Sequence, residues 1–330
     1  MANITLNGHD FSIDDLWQIA ALNAPCALAE EARPRMRASR ELVEKLAAQP
    51  RAIYGINTGF GPLSGFRVSP EDLAQHQIHL LHHLSVGQGA LFSPVETRAI
   101  MLARANTLAR GFSGIREELI ELLLAAVNQN ILPEIPSEGS VGASGDLVPL
   151  AHMANLLVGN GSVRVENKKH SAKDALHAAG LSPVILQSKE GLALVNGTSV
   201  MTALAALAVH EAEKLLHWME LLTACLFQAL SGEPEALCSQ IHRARGFRGQ
   251  SLVAERISNS LRTHPDFARR IDEHQWGSQP KPVADGTEIQ DPYSLRCAPQ
   301  ILGAFQEALW HVEEVVTREL NASTDNPLIF

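Results

Sequence analysis

From Leu295 to Leu320 the apolar residues Ala298, Leu302, Phe305, Leu309, Val312, Val316 and Leu320 fall three and four positions apart. That spacing places them on one stripe of a helix, and a stripe this long must be buried against another helix. A second stretch, from about Ser199 to Leu230, is of similar length and mostly apolar. Long helices of this kind pack as bundles, often across subunits. Strand-like material is scarce, with Arg51–Tyr54, Val163–Glu166 and Val184–Leu186 as short candidates. The fold class is therefore read as mainly α.

Local signals mark further helices. Ser12-Ile-Asp-Asp15 is a capping-box-like start for the stretch around Leu16–Ala24, which Pro25 is expected to end. Ser69-Pro70-Glu71-Asp72 and Ser93-Pro94-Val95-Glu96 each place a cap, then proline at the first helical position, then acidic residues in the first turn. Gly111 is expected to close the second of these helices. Ser171-Ala-Lys-Asp174 opens a short helix that Gly180 ends.

Composition removes several classes of function. Hydrophobic residues make up 45% and charged residues 19% of the 330, as in a soluble globular protein with a sizeable core. The longest apolar window, Leu192 to Leu230, is interrupted by His210, Glu211, Glu213 and Lys214, so no membrane span is expected. The N-terminal Met-Ala-Asn-Ile-Thr-Leu has no basic region before an apolar run, and a signal peptide is not expected. Cys26, Cys225, Cys238 and Cys297 form no close CxxC pair and read as reduced thiols of a cytoplasmic protein. A net charge of −9 argues against nucleic acid or an anionic membrane as partner. His76, His79, His82 and His83 crowd one segment, and His79 and His83 have the spacing of metal ligands on a helix. The glutamate of an HExxH motif and a third ligand are absent, so no metal is expected.

Three glycine-rich loops, Tyr54–Gly65, Gly139–Asp146 and Gly191–Thr198, lie in the first two-thirds of the chain. They suggest an N-terminal domain of loops and short helices, residues 1–198, feeding the first part of a central helical-bundle domain, residues 199–330. The segment Gly139-Ser-Val-Gly-Ala-Ser-Gly-Asp-Leu-Val-Pro-Leu-Ala-His152 is central. It is not a nucleophile elbow, because Asp146 stands where the second glycine of G-x-S-x-G belongs and no strand precedes it. It is not a phosphate-binding loop, because the lysine is missing. On its residues alone it also reads as a glycine loop capped by Asp146 ahead of a helix.

The same segment resembles the signature of the aromatic amino acid ammonia-lyases, which comprise histidine, phenylalanine and tyrosine ammonia-lyases and related aminomutases. Four further segments are similar to the family's in the family's order: Tyr54-Gly-Ile-Asn-Thr-Gly-Phe-Gly61, Glu190-Gly-Leu-Ala-Leu-Val-Asn-Gly-Thr198, Gln290-Asp-Pro-Tyr-Ser-Leu-Arg-Cys297 and Asn321-Ala-Ser-Thr-Asp-Asn-Pro-Leu-Ile-Phe330. The resemblance implies a fumarase/aspartase-like helical core. It also implies that Ala143-Ser144-Gly145 cyclises autocatalytically to 4-methylidene-imidazol-5-one, with no metal. The residue types suit that chemistry. The Gly145 nitrogen must approach the Ala143 carbonyl, which favours small residues, and Ser144 carries the hydroxyl to be lost.

Roles follow from the resemblance residue by residue. Tyr54 matches the general base that removes the substrate β-proton, and Tyr293 a second tyrosine of the site. Arg296 matches the anchor for the substrate carboxylate, a task suited to its planar fork. Asn196 and Gln290 match polar residues that position substrate and prosthetic group, and Phe330 an aromatic near the site. His83-Leu84 falls at the family's selectivity position. Histidine–leucine there looks like the tyrosine-preferring type, whereas histidine-specific members carry Ser-His, because an imidazole can meet a para-hydroxyl. The expected reaction is loss of ammonia from L-tyrosine to give trans-4-coumarate. Histidine ammonia-lyase (L-histidine to urocanate), tyrosine 2,3-aminomutase and an inactive helical assembly fragment stay open as alternatives. Family members form homotetramers, and self-association is expected. The apolar ending Pro327-Leu328-Ile329-Phe330 reads as a core incomplete at its C-terminus.

Overall fold

The computed structural model describes residues 3–273 and 290–330. The helices are α1 (Ile13–Leu22), α2 (Arg33–Ala47), α3 (Leu73–Leu84), α4 (Pro94–Ala109), α5 (Glu117–Asn128), α6 (Leu147–Leu157), α7 (Ala172–Ala178), α8 (Glu190–Val195), α9 (Ser199–Ala229), α10 (Ser239–Arg245), α11 (Arg248–Leu261), α12 (Pro265–Glu273), α13 (Tyr293–Arg296) and α14 (Ala298–Leu320). The strands are short: β1 (Ile4–Leu6), β2 (Cys26–Leu28), β3 (Gln88–Leu91), β4 (Leu132–Pro133), β5 (Pro136–Glu138), β6 (Ser162–Val165) and β7 (Lys168–Ser171). They form a parallel pair β1–β2, an antiparallel pair β3–β5 and an antiparallel sheet in the order β4-β6-β7. The protein is mainly α.

Most helix ends follow local chemistry. Ser12 and Ser93 form reciprocal capping boxes with Asp15 and Glu96, and Ser171 accepts from the Asp174 amide. Asn23, at φ 56°, ends α1 ahead of Pro25, and Gly111 and Gly180 follow α4 and α7 with φ of 82° and 71°. Four expectations shift. Ser69 caps a hydrogen-bonded turn through the Asp72 amide, and α3 proper begins only at Leu73. Arg51–Tyr54 is not a strand, because the Ile53 amide is taken by the Asn57 side chain at 2.7 Å. Val184–Leu186 is also irregular, held by the Val184 amide on the Leu157 carbonyl and by Arg116 donating to the Ile185 carbonyl. The last long helix starts at Ala298, with Tyr293–Arg296 forming a separate turn before it.

By packing, the chain divides into two compact units, Met1–Ala208 with Val315–Phe330, and Val209–Glu314. This cut differs from the sequence boundary at residue 198, which marks where the asparagine loop enters α9. In the first unit α4 is buried from Thr97 to Ala109, with α1 and α5 packed on it. A helix covered on all sides accepts charge only where the charge has partners. Arg98 donates to the Ala20 carbonyl and Asn130, and Arg104 points at the functional loops. In the second unit Leu216, Phe227, Val253, Ile257, Leu261, Leu295 and Leu302 form the core. Gly303 there lets α14 meet α11, since a Cβ would lie within 2.9 Å of the Gln250 side chain. The stripe on α14 is only partly covered: Ala298, Leu302, Leu309, Val316 and Leu320 are buried, whereas Phe305 and Val312 are exposed.

Candidate active site

Ala143-Ser144-Gly145 forms an exposed loop directly ahead of α6. Gly142, Ser144 and Gly145 all have left-handed φ, at 67°, 64° and 85°. For Ser144 this conformation costs energy, so the surroundings must hold it. A Cβ on Gly145 would overlap the Gly197 carbonyl oxygen. Gly145 and Gly197 form a parallel bridge, and the Asp146 amide donates to the Gly197 oxygen at 2.7 Å. The Asn196 side-chain amide donates to Ser144 Oγ at 2.9 Å. Small flanking residues, a tightly turned backbone and a held hydroxyl fit a tripeptide that is to cyclise and lose water. The start of α6 adds a positive dipole end beside it.

Asp146 does not cap its own helix. Its Oδ2 accepts from the Val200 and Met201 amides at 3.0 Å each, so it caps α9, and Ser140 donates to its Oδ1. The tripeptide loop is thereby tied to the N-terminus of the long helix. Behind the asparagine loop lies Arg104, fully buried, donating to the carbonyls of Ala193 and Asn196 and to Ser199 Oγ. Burial pushes its guanidinium pKa down to about 10, so it remains a cation at neutral pH. Lys189, also fully buried, pairs with Asp325 at 3.2 Å. Burial pulls the Lys189 ammonium below the usual lysine range, and Asp325 opposes that shift. Glu190 is buried against Arg116 at 2.8 Å.

The remaining predicted residues fall as follows. Tyr54 is 41% exposed, on a loop whose Gly55 packs on Leu192 and Pro327. His83 and Leu84 end α3, which lies along α6 and α8 and is tied to α8 by Gln77 accepting from the Gly191 amide at 2.9 Å. His83 is exposed and Leu84 half-buried. Phe330 is 88% exposed, with its ring 5.5 Å from that of Phe112. Gln290, Tyr293 and Arg296 belong to the second unit. The Arg296 guanidinium there lies 4.2 Å from the centre of the Tyr293 ring. Arg296, Gln290, Asp291 and Gln300 line a cavity of about 290 Å³. Arg296 Nε is buried without a hydrogen-bond partner among the described residues.

Sequence reasoning passed over Arg104, Lys189 and Asp325, and it gave Asp146 to the helix that follows it, whereas its side chain caps α9. Arg104 carried one signal, a charge inside an otherwise apolar helical run. The others show nothing until distant segments are brought together. Among the described residues no group of three or more His, Cys, Asp or Glu is placed to hold a metal, and no helix is long and apolar enough to cross a membrane.

A family model for aromatic amino acid lyases matches residues 11–330, and the chain belongs to that family. Histidine ammonia-lyase of Geobacillus thermodenitrificans is 44% identical over 99% of this chain and 62% of its own length. Tyrosine aminomutase from Streptomyces globisporus superposes with a TM-score of 0.88 at 33% identity, covering 100% of this chain and 63% of that one. Histidine ammonia-lyase from Trypanosoma cruzi superposes with a TM-score of 0.87 at 33% identity, covering 100% of this chain and 59% of that one. The chain thus spans somewhat under two-thirds of the length of these relatives.

Proposed function

We propose that the protein eliminates ammonia from an aromatic L-amino acid, using a 4-methylidene-imidazol-5-one formed from Ala143-Ser144-Gly145. The observation that carries this reading is Ser144, held in a left-handed turn with its hydroxyl on Asn196. When formed, the group supplies an electrophile beside the start of α6. Tyr54 is assigned removal of the substrate β-proton. As the Cβ–H and Cα–N bonds break, a carbon–carbon double bond forms and ammonia leaves. Arg296, which lines a cavity with Gln290, is assigned the substrate carboxylate, and Tyr293, whose ring lies under its guanidinium, a part in proton or ammonia handling. Asn196 and Gln290 are assigned positioning and Phe330 an apolar contact.

L-Histidine, giving urocanate, is the substrate best supported, because curated histidine ammonia-lyases match nearly the whole chain at up to 44% identity. This takes precedence over the tyrosine reading and its phenylpropanoid product. Tyrosine stays as the second reading on one observation, the His83-Leu84 pair in place of Ser-His. The purified chain is to be incubated separately with L-histidine, L-tyrosine and L-phenylalanine and the products identified. Urocanate supports the first reading and 4-coumarate the second. A β-amino acid points to an aminomutase, and no product from any of the three removes the assignment for this chain. Self-association into a tetramer is part of the proposal. Leu215, Trp218, Leu222 and Leu226 recur three and four apart along α9 and are exposed, leaving an apolar face for other subunits. Light scattering of the purified chain tests it, and a monomer at micromolar concentration counts against it.

A further inference from the structure

The residues after α14 cross the first unit as a strap that touches two of its three glycine-rich loops, the one that carries Tyr54 and the one that carries Asn196. Asn321 exchanges hydrogen bonds with the backbone of Phe11, at 3.0 and 2.8 Å, and accepts from Asn106. Ser323 accepts from Arg110 at 3.0 Å. Thr324 Oγ1 accepts from the Thr198 amide at 3.3 Å. Pro327 lies against Gly55, next to Tyr54, where a Cβ would come within 3.0 Å of the proline ring. The Ile329 amide donates to the Phe112 carbonyl at 2.8 Å.

In the middle of the strap is an ion pair with no solvent access. Lys189 and Asp325 side chains are both fully buried and 3.2 Å apart. Lys189 Nζ also donates to the Ser113 carbonyl at 2.8 Å, and Ser113 Oγ donates to Asp325 Oδ1 at 3.0 Å. The three residues close a ring of hydrogen bonds across segments 76 and 136 residues away from Lys189. A buried pair is a poor way to gain stability, since apolar replacements of equal volume often do as well. What it does supply is direction: only one placement of the two segments satisfies both charges. Lys189 is itself in the left-handed region, at φ 70°, immediately before α8. Asn196 is the C-cap of that six-residue helix. A helix of about one and two-thirds turns therefore carries the position of Lys189 to Asn196, and through Asn196 and Gly197 to Ser144 and Gly145.

We propose that Lys189, Asp325 and Ser113 are positioning residues, a latch that locks the strap onto the asparagine loop and so holds Asn196 and Gly197 against the tripeptide. The assignment of a function to that tripeptide rests on the ammonia-lyase reading, whereas the latch is a statement about geometry and is tested separately.

The test is site-resolved amide hydrogen exchange on the full chain, comparing wild type with Lys189→Met. The expected result is a loss of protection of about a hundredfold at the amides of Asp146, Thr198 and Ile329, with the amides of α4 unchanged. A role in general stability alone would lower protection in α4 as well, and that outcome overturns the proposal. So does unchanged protection at Asp146. If Lys189→Met does not fold, Thr324→Ala decides, because it removes one uncharged contact of the same strap. It is expected to lower protection at Thr198 and Asp146 by about threefold, again sparing α4, and no change at Asp146 overturns the latch. Intact mass of the wild type reports on the functional reading alone. A chain at its full sequence mass, with no loss of water, removes that reading and leaves the exchange result to judge the latch.

Discussion

The side-chain amide of Asn196 donates to Ser144 Oγ at 2.9 Å, across 52 residues of sequence. The bond orients the Ser144 hydroxyl, the group that the proposed cyclisation would lose. Replacing Asn196 by alanine removes the donor and leaves the loop backbone in place. A hydrogen bond of this kind contributes about 1 kcal/mol, so Asn196→Ala is expected to slow loss of water from the tripeptide by about fivefold. Intact mass followed over time after synthesis checks it. Ser144→Ala is expected to stay at full backbone mass indefinitely.

Gly145 and Gly180 separate two effects of adding a methyl group. Both have positive φ, but a Cβ at Gly180 meets nothing within 4 Å, whereas at Gly145 it overlaps the Gly197 carbonyl. Gly180→Ala is expected to cost about 1 kcal/mol of conformational strain and to leave tripeptide conversion intact. Gly145→Ala is expected to cost about 3 kcal/mol or more and to block conversion. Urea unfolding and intact mass together give the comparison, and equal costs at the two sites would exclude the steric account.

Arg104 organises the asparagine loop with a single guanidinium that reaches Ala193 O, Asn196 O and Ser199 Oγ. Arg104→Met leaves buried carbonyls without donors and is expected to lower unfolding stability by about 3 kcal/mol. Arg104→Lys restores the charge but not the planar fork, and is expected to recover less than half of the loss. Full recovery by lysine would mean that charge, and not geometry, is what the loop requires.

His242 is buried with Nε2 on the Ala236 carbonyl at 3.1 Å and Nδ1 facing the Gln250 side-chain amide at 2.9 Å. Burial holds its pKa below the ordinary 6.5, only partly offset by the Ala236 bond. The unfolded chain thus binds the proton more tightly. The contribution to stability is complete above 6.5 and is lost as pH falls below it. His152, whose Nε2 accepts from the Gly87 amide, is lowered by burial in the same direction. The thermal midpoint is expected to drop between about pH 7.5 and about pH 5.5, and His242→Gln to shrink that drop. An unchanged pH slope in the variant would falsify this assignment.

His83 stands exposed at the end of α3. If its imidazole meets a para-hydroxyl, His83→Phe should lower the ratio of kcat/KM for tyrosine over phenylalanine by about tenfold or more. A ratio that does not move shows that His83 takes no part in selection, and strengthens the histidine reading.

Much of the helical framework could be read directly from the chain, because helix periodicity, serine caps and glycine ends are written within one or two turns. Ser12, Ser93 and Ser171 start helices for reasons contained in four residues each. The tripeptide and the loop motifs were equally visible, since small residues in a fixed order are a local property. The false strand at Arg51–Tyr54 shows the limit of such reading, because what settled it was whether the Ile53 amide met a partner strand or Asn57.

By itself, then, the sequence determined the helical class and the run of small residues around Ala143-Ser144-Gly145, both of which depend on neighbours in the chain. Only the tertiary structure decided that Asp146 caps α9 and that Arg104 supports the asparagine loop. It alone joined Lys189 to Asp325 across 136 residues. The physical reason is burial. A charged or polar group taken out of water must find its partner wherever the fold supplies one, and that partner's distance along the chain carries no local signal.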